Sequence, residues 1–92
     1  MRFEWDPKKN TANLRKHGIA FEDAIEVFGR PFLEGPDHRK SSGEDRWLVT
    51  GEVRGRVILV VCTWRGERLR IISARKAEKA EREAYDRAIY SR

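Results

Sequence analysis

Among 92 residues there is a single cysteine, Cys62. One thiol forms no internal disulfide, and one cysteine with two histidines, His17 and His38, does not make a structural zinc site. The longest fully apolar run, Val57–Cys62, is far short of the roughly 20 residues that cross a bilayer. The opening Met-Arg-Phe-Glu-Trp-Asp-Pro lacks the apolar stretch of a secretion signal. No Gly-x-Ser-x-Gly, Walker loop, HExxH, CxxC or Gly-x-Gly-x-x-Gly occurs. A chain of 10.8 kDa has room for one domain, spanning 1–92, and is too short for a barrel enzyme or a full dinucleotide-binding fold. These absences lead to the expectation of a cytoplasmic, reduced domain with no metal, no cofactor and no membrane contact.

What the chain does have is charge. Charged residues make up 38% of it, yet three Trp, four Phe and two Tyr argue against disorder, because such side chains pack rather than solvate. The net charge of +5 is unevenly placed. Residues 53–76 carry Arg54, Arg56, Arg65, Arg68, Arg70, Arg75 and Lys76 against Glu67 alone, while the rest of the chain is close to neutral. Arginine binds phosphate through a planar fork and stays charged under ordinary conditions. A patch of this kind points to nucleic acid or an acidic protein partner.

Periodicity gives the elements. Phe3–Trp5 reads as a short strand. Asp6-Pro7 then starts a helix, with Asp as N-cap and Pro at the first helical position, ending near His17-Gly18. Phe21, Ala24, Ile25 and Phe28 form the apolar stripe of a short second helix. Phe32–Glu34 suggests a strand, and Gly35 to Asp45 has loop composition. A three-strand meander follows: Arg46–Glu52, Arg56–Trp64 and Glu67–Ala74, with turns at Arg54-Gly55 and Arg65-Gly66. A last helix from about Arg75 shows a small-residue stripe of Ala77, Ala80, Ala84, Ala88 and Ile89. The order predicts an α+β fold, an antiparallel sheet with helices packed on one face and a C-terminal helix. The Leu69/Ile71 face of the third meander strand should meet the helices, leaving Arg68 and Arg70 on an open cationic face.

Candidate chemistry follows from that face. Arg46, Arg68, Arg70 and Arg75 would sit on neighbouring strands, where side chains of one face lie about 5 Å apart and repel unless an anion or a carboxylate bridges them. Glu44, at the start of the meander, is the carboxylate expected near them. His17 reads as a helix-terminal residue or as a general acid or base. Trp47 and Trp64 flank the meander, where an exposed indole could stack on an unpaired base. Cys62, mid-strand in an apolar run, reads as core.

Several blocks of this sequence, in order, resemble the BrnT toxins. They are Phe3-Glu4-Trp5-Asp6-Pro7-Lys8-Lys9, Asn13-Leu14-Arg15-Lys16-His17-Gly18-Ile19, Phe21-Glu22-Asp23-Ala24 with Val27-Phe28, Gly43-Glu44-Asp45-Arg46-Trp47, and Arg70-Ile71-Ile72-Ser73-Ala74-Arg75-Lys76-Ala77. The resemblance implies a RelE-like fold and the toxin half of a type II toxin–antitoxin pair. It implies metal-independent ribonuclease activity, and neutralisation by a BrnA-like antitoxin in a 2:2 complex that binds operator DNA through the antitoxin. The positions matching the family blocks are His17, Arg46, Ser73 and Arg75.

Metal-free RNA cleavage needs a base for the 2′-hydroxyl proton, an acid for the departing 5′-oxygen and cations on the crowded phosphate. The expected catalytic set is therefore Arg75, Arg70 and Arg46 on the phosphate, with Glu44 or His17 as base or acid. Arg68, Lys76, Ser73 and Trp47 are expected to contact RNA. The alternatives are a non-catalytic nucleic-acid-binding module, or a degenerate toxin acting only as antitoxin partner and co-repressor.

Overall fold

In the computed structural model, which describes residues 1–38 and 45–90, the first helix starts and stops where its caps dictate. Helix α1 runs Pro7–His17; the Asp6 carboxylate accepts the Lys8 backbone N–H at 2.9 Å, and Gly18 closes the helix at φ 72. Its buried residue is not apolar. The Asn13 amide donates to the carbonyls of Ile19 (2.9 Å) and Ala74 (2.8 Å), and its oxygen accepts from the Ala74 N–H (3.1 Å). Asn13 thus does for Ala74 what a neighbouring strand would do. Asn10 ties the next segment down, accepting from the Phe21 N–H and donating to Glu22, both at 2.9 Å.

Helix α2, Phe21–Ala24, tightens directly into a 3₁₀ segment, Ile25–Gly29. This alters the expected stripe. A 3₁₀ turn repeats every three residues, so Phe21, Ala24 and Val27 are the fully buried positions, and Ile25 and Phe28 only lean against the core.

Five strands form one sheet: β1 (Arg2–Glu4), β2 (Leu33–Pro36), β3 (Trp47–Val53), β4 (Arg56–Arg65) and β5 (Arg68–Lys76). Their order is β1-β5-β4-β3-β2. All pairs are antiparallel except β1, which lies parallel to β5 with Phe3 opposite Leu69 and Glu4 opposite Arg70. The β3–β4 turn holds Arg54 and Gly55 at φ 53 and 82, the primed geometry that a tight hairpin favours. The second turn is Gly66-Glu67, one residue beyond the sequence expectation.

The inner face carries Val49, Val53, Ile58, Val60, Cys62, Leu69, Ile71 and Ala74, covered by the helical layer through Ile19, Phe21, Ala24 and Val27. The two layers are close at Gly51, where a Cβ would lie 2.9 Å from the Val27 Cβ. The inner-face spacing in β5 changes from two residues to three between Ile71 and Ala74. A bulge absorbs the extra residue: Ile71 pairs with Cys62 and Ser73 with Val61, leaving Ile72 over. In an unbroken strand Arg75 would share the face of Leu69 and Ile71. With the bulge it lies on the outer face.

Helix α3, Lys79–Ile89, differs most from expectation. It begins later, because Arg75 and Lys76 stay in the sheet opposite Leu59 and Ile58. A reciprocal cap between Glu78 and Glu81 then starts the helix. It packs on the outer face, against β2 and β3. Its anchor is not the alanine stripe, since Ala80 and Ala88 are exposed; it is Tyr85, which is buried. Tyr90 follows, with its ring 6.0 Å from Tyr85 and its hydroxyl donating to Glu52 at 3.2 Å.

Candidate functional site

The outer face of β5 collects Arg68, Arg70, Ser73 and Arg75 through strand alternation and the bulge. Arg70 reaches Glu4 across the parallel edge, its Nη1 donating to Oε2 at 2.8 Å. Arg68 approaches the other oxygen of Glu4 at 3.7 Å. The partners of Arg70 and Arg75 lie four positions apart on β4, so their backbones stand about 13 Å apart. Arg75 grips Glu81 of α3 with two parallel bonds of 2.9 Å and also donates to the Lys76 carbonyl at 3.1 Å. Arg46 precedes β3 by one residue. Continuing the β3–β4 register one step beyond Trp47↔Cys62 sets it against Thr63, whose partner on β5 is Arg70. Thr63 is buried and donates to the Asp45 carbonyl, which holds this corner.

The electrostatics are those of compensated cations. The hydrogen bond from Arg70 holds the Glu4 carboxyl below its usual range against the opposing effect of burial, and the charges of Arg70, Arg68 and Arg65 add to the lowering. The guanidiniums remain reachable: the Arg68 side chain is 57% exposed, Arg70 28% and Arg75 26%. A polyanion can therefore exchange with the carboxylates without the sheet opening.

Other expected residues lie elsewhere. His17 is exposed on the last turn of α1, in the helical layer. Trp47 is turned to the inner face and packs against the core, so it is not part of the arginine face. Trp64 is the exposed tryptophan, at 52%, but it too lies on the inner side, where it borders a hollow of about 130 Å³ with Trp47, Phe28 and Phe32. Lys76 is exposed opposite Ile58, at the far end of β5. Glu44 lies outside the described residues. The basic segment itself divides, because Arg54 sits at the β3–β4 turn and pairs with Asp23 (3.2 Å) and Glu26 (3.0 Å) of the helical layer.

Sequence reasoning missed Glu4 and Glu81, the two carboxylates that organise the face. Glu4 arrives through a parallel pairing between residues 66 apart. Glu81 carried a weak signal, its place three residues after Glu78 in a reciprocal cap. Cys62 is core, as expected: burial, with the charge of Glu34 adding, pushes its thiol up to about 12. Among the described residues no three His, Cys, Asp or Glu side chains converge as a metal site would require.

The arrangement can hold a chain of phosphates by forked, charge-assisted hydrogen bonds. Two comparisons bear on this. A family model described as the ribonuclease toxin, BrnT, of type II toxin–antitoxin systems matches residues 5–81, which takes in Arg46, β5 and Glu81. No curated protein matches the chain.

Proposed function

Because the chain belongs to the BrnT family of ribonuclease toxins of type II toxin–antitoxin systems, we propose that it is a metal-independent endoribonuclease whose phosphate site is the outer face of β5. The observation that carries this reading is the gathering of Arg68, Arg70 and Arg75 on one accessible face by the bulge. In the proposed reaction the 2′-oxygen attacks the adjacent phosphorus and its proton passes to a general base, for which Glu44 is the remaining candidate because His17 lies in the helical layer that covers the opposite face. The bond from phosphorus to the 5′-oxygen breaks, and that oxygen takes up a proton as it leaves. A 2′,3′-cyclic phosphate remains. Arg75 takes the charge of the pentavalent phosphate, Arg70 and Arg46 assist it, and Arg68 and Ser73 hold the flanking strand. The proposed partner is a BrnA-like antitoxin that covers this face in a cytoplasmic 2:2 complex and carries it to operator DNA.

The test is induction of the chain beside Arg75→Ala, following growth and RNA integrity together, with cleavage by purified protein alongside. Wild type should arrest growth and degrade RNA, and the substitution should cost about 10²–10³ in rate while the protein stays folded. A folded Arg75→Ala protein of undiminished toxicity overturns the assignment. RNA bound but never cut identifies a binding module, and its affinity should then fall with salt at a log–log slope of about −2 for three phosphate contacts on a single strand.

A further inference from the structure

Helix α3 does not lie flat on the outer face. Between it and β2–β4 runs an open groove of about 280 Å³. Leu33, Leu48, Leu59 and Ala84 make its apolar walls, and Glu81 stands at its side. Leu33 and Leu48 are only half-buried. Leu59 is the cross-strand partner of Arg75, so the groove floor adjoins the proposed phosphate ligand.

We propose that this groove is a subsite for one unpaired guanine of the RNA. The base would lie against Leu33 and Leu48 with its Watson–Crick edge on Glu81, while the adjoining phosphate takes Arg75. This rests on the reading of Arg75 as a phosphate ligand. The size suits one base, since the volume falls just under the about 300–1,000 Å³ of small-molecule pockets. The chemistry selects which base. An ionised carboxylate only accepts hydrogen bonds. Guanine presents N1–H and the 2-amino group side by side, two donors matched to two oxygens. Cytosine and adenine set their amino group beside an acceptor nitrogen, and uracil sets its single N–H between two carbonyls.

Arg75 and Glu81 hold each other through two parallel bonds of 2.9 Å. A guanosine phosphate carries a substitute for each partner: its base edge replaces the guanidinium on Glu81, and its phosphate replaces the carboxylate on Arg75. Arg75 keeps an anion beside it and Glu81 keeps two hydrogen bonds, so neither group is left without a partner.

Calorimetric titration of the whole chain at low salt tests this, with guanosine, inosine and cytidine 3′-monophosphates and inorganic phosphate as probes. The guanosine nucleotide should bind about 5- to 150-fold tighter than the cytidine nucleotide, the range of one good bidentate base contact, with inosine between them. Glu81→Gln should remove the preference. Ala84→Trp, which fills the groove and leaves both charges in place, should bring the nucleotides down toward inorganic phosphate. Equal affinity for the guanosine and cytidine nucleotides, with phosphate still bound, overturns the base subsite and leaves the phosphate site standing. Failure to bind any of the probes, or RNA, overturns both.

Discussion

The two faces of the sheet are built from alternate residues of the same strands, yet different forces hold them. On the inner face Val49, Val60, Ile71 and Ala74 are at most 2% exposed, and the aromatic contacts Phe3–Phe28 and Phe28–Phe32 close at 5.4 and 5.2 Å. Burial there stabilises by about 25 cal/mol per Å² and cannot be exchanged for a ligand. The outer face of β5 is held by ion pairs of Arg70 with Glu4 and Arg75 with Glu81. These half-buried pairs keep an edge toward solvent, and an incoming phosphate can take the place of either carboxylate. Stability and ligand binding are thereby separated by one residue along β5.

The sharpest way to break this separation is to change the phase of a strand. Removal of Val61 from the central strand β4 would send Cys62 and Trp64 to the outer face and bring Thr63 inside, in a strand paired on both sides. That should cost more than about 4 kcal/mol and abolish a cooperative urea transition. Removal of Ile72 should do far less. It deletes the bulge residue itself, and a regular strand then still places Ile71 and Ala74 inside and Arg70 and Arg75 outside. A chain lacking Ile72 that unfolds as thoroughly as one lacking Val61 would show that the bulge does more than keep phase.

A second contrast uses point changes. Asn13→Ala leaves the Ala74 N–H and two carbonyls without their side-chain partner on the buried side, and each group left unpaired costs about 1–3 kcal/mol. The urea midpoint should fall accordingly. Arg70→Ala, on the other face, should move that midpoint little and weaken RNA binding instead. If Arg70→Ala destabilises the chain as much as Asn13→Ala, the outer ion pairs are structural and the division between faces is wrong.

How much of this was legible depended on distance along the chain. The α1 caps, the β3–β4 turn and the inward Leu69 and Ile71 rest on local chemistry, and the structure follows them. The family was legible in ordered blocks, and the match over residues 5–81 agrees. Three features were hidden. The side chain of Asn13 reaches backbone 61 residues away, and no local pattern marks a polar residue as a strand substitute. Ala77, Ala80, Ala84 and Ala88 make a convincing stripe, yet one tyrosine buries more apolar surface than several alanines, and α3 turns to seat Tyr85. A row of arginines likewise looks uncompensated until tertiary pairing supplies Glu4 and Glu81.

The smallest effect concerns Glu4, which belongs to the fold through β1 and to the site through Arg70. Its carboxyl titrates below its usual range in the folded chain, chiefly through the Arg70 hydrogen bond. A depressed folded value means that its contribution is complete above the unfolded carboxylate range and is lost as pH falls through the folded one. Glu4→Gln should therefore flatten the acid limb of stability against pH, lowering stability slightly at neutral pH and leaving it unchanged at low pH. The same substitution removes the competitor for Arg68 and Arg70. RNA affinity of the variant at neutral pH and low salt should rise modestly, and acidification should bring the wild type up toward it. A variant with the wild-type acid limb and the wild-type RNA affinity would show that Glu4 neither shields these arginines nor is displaced from them, and that phosphate is held elsewhere on the face.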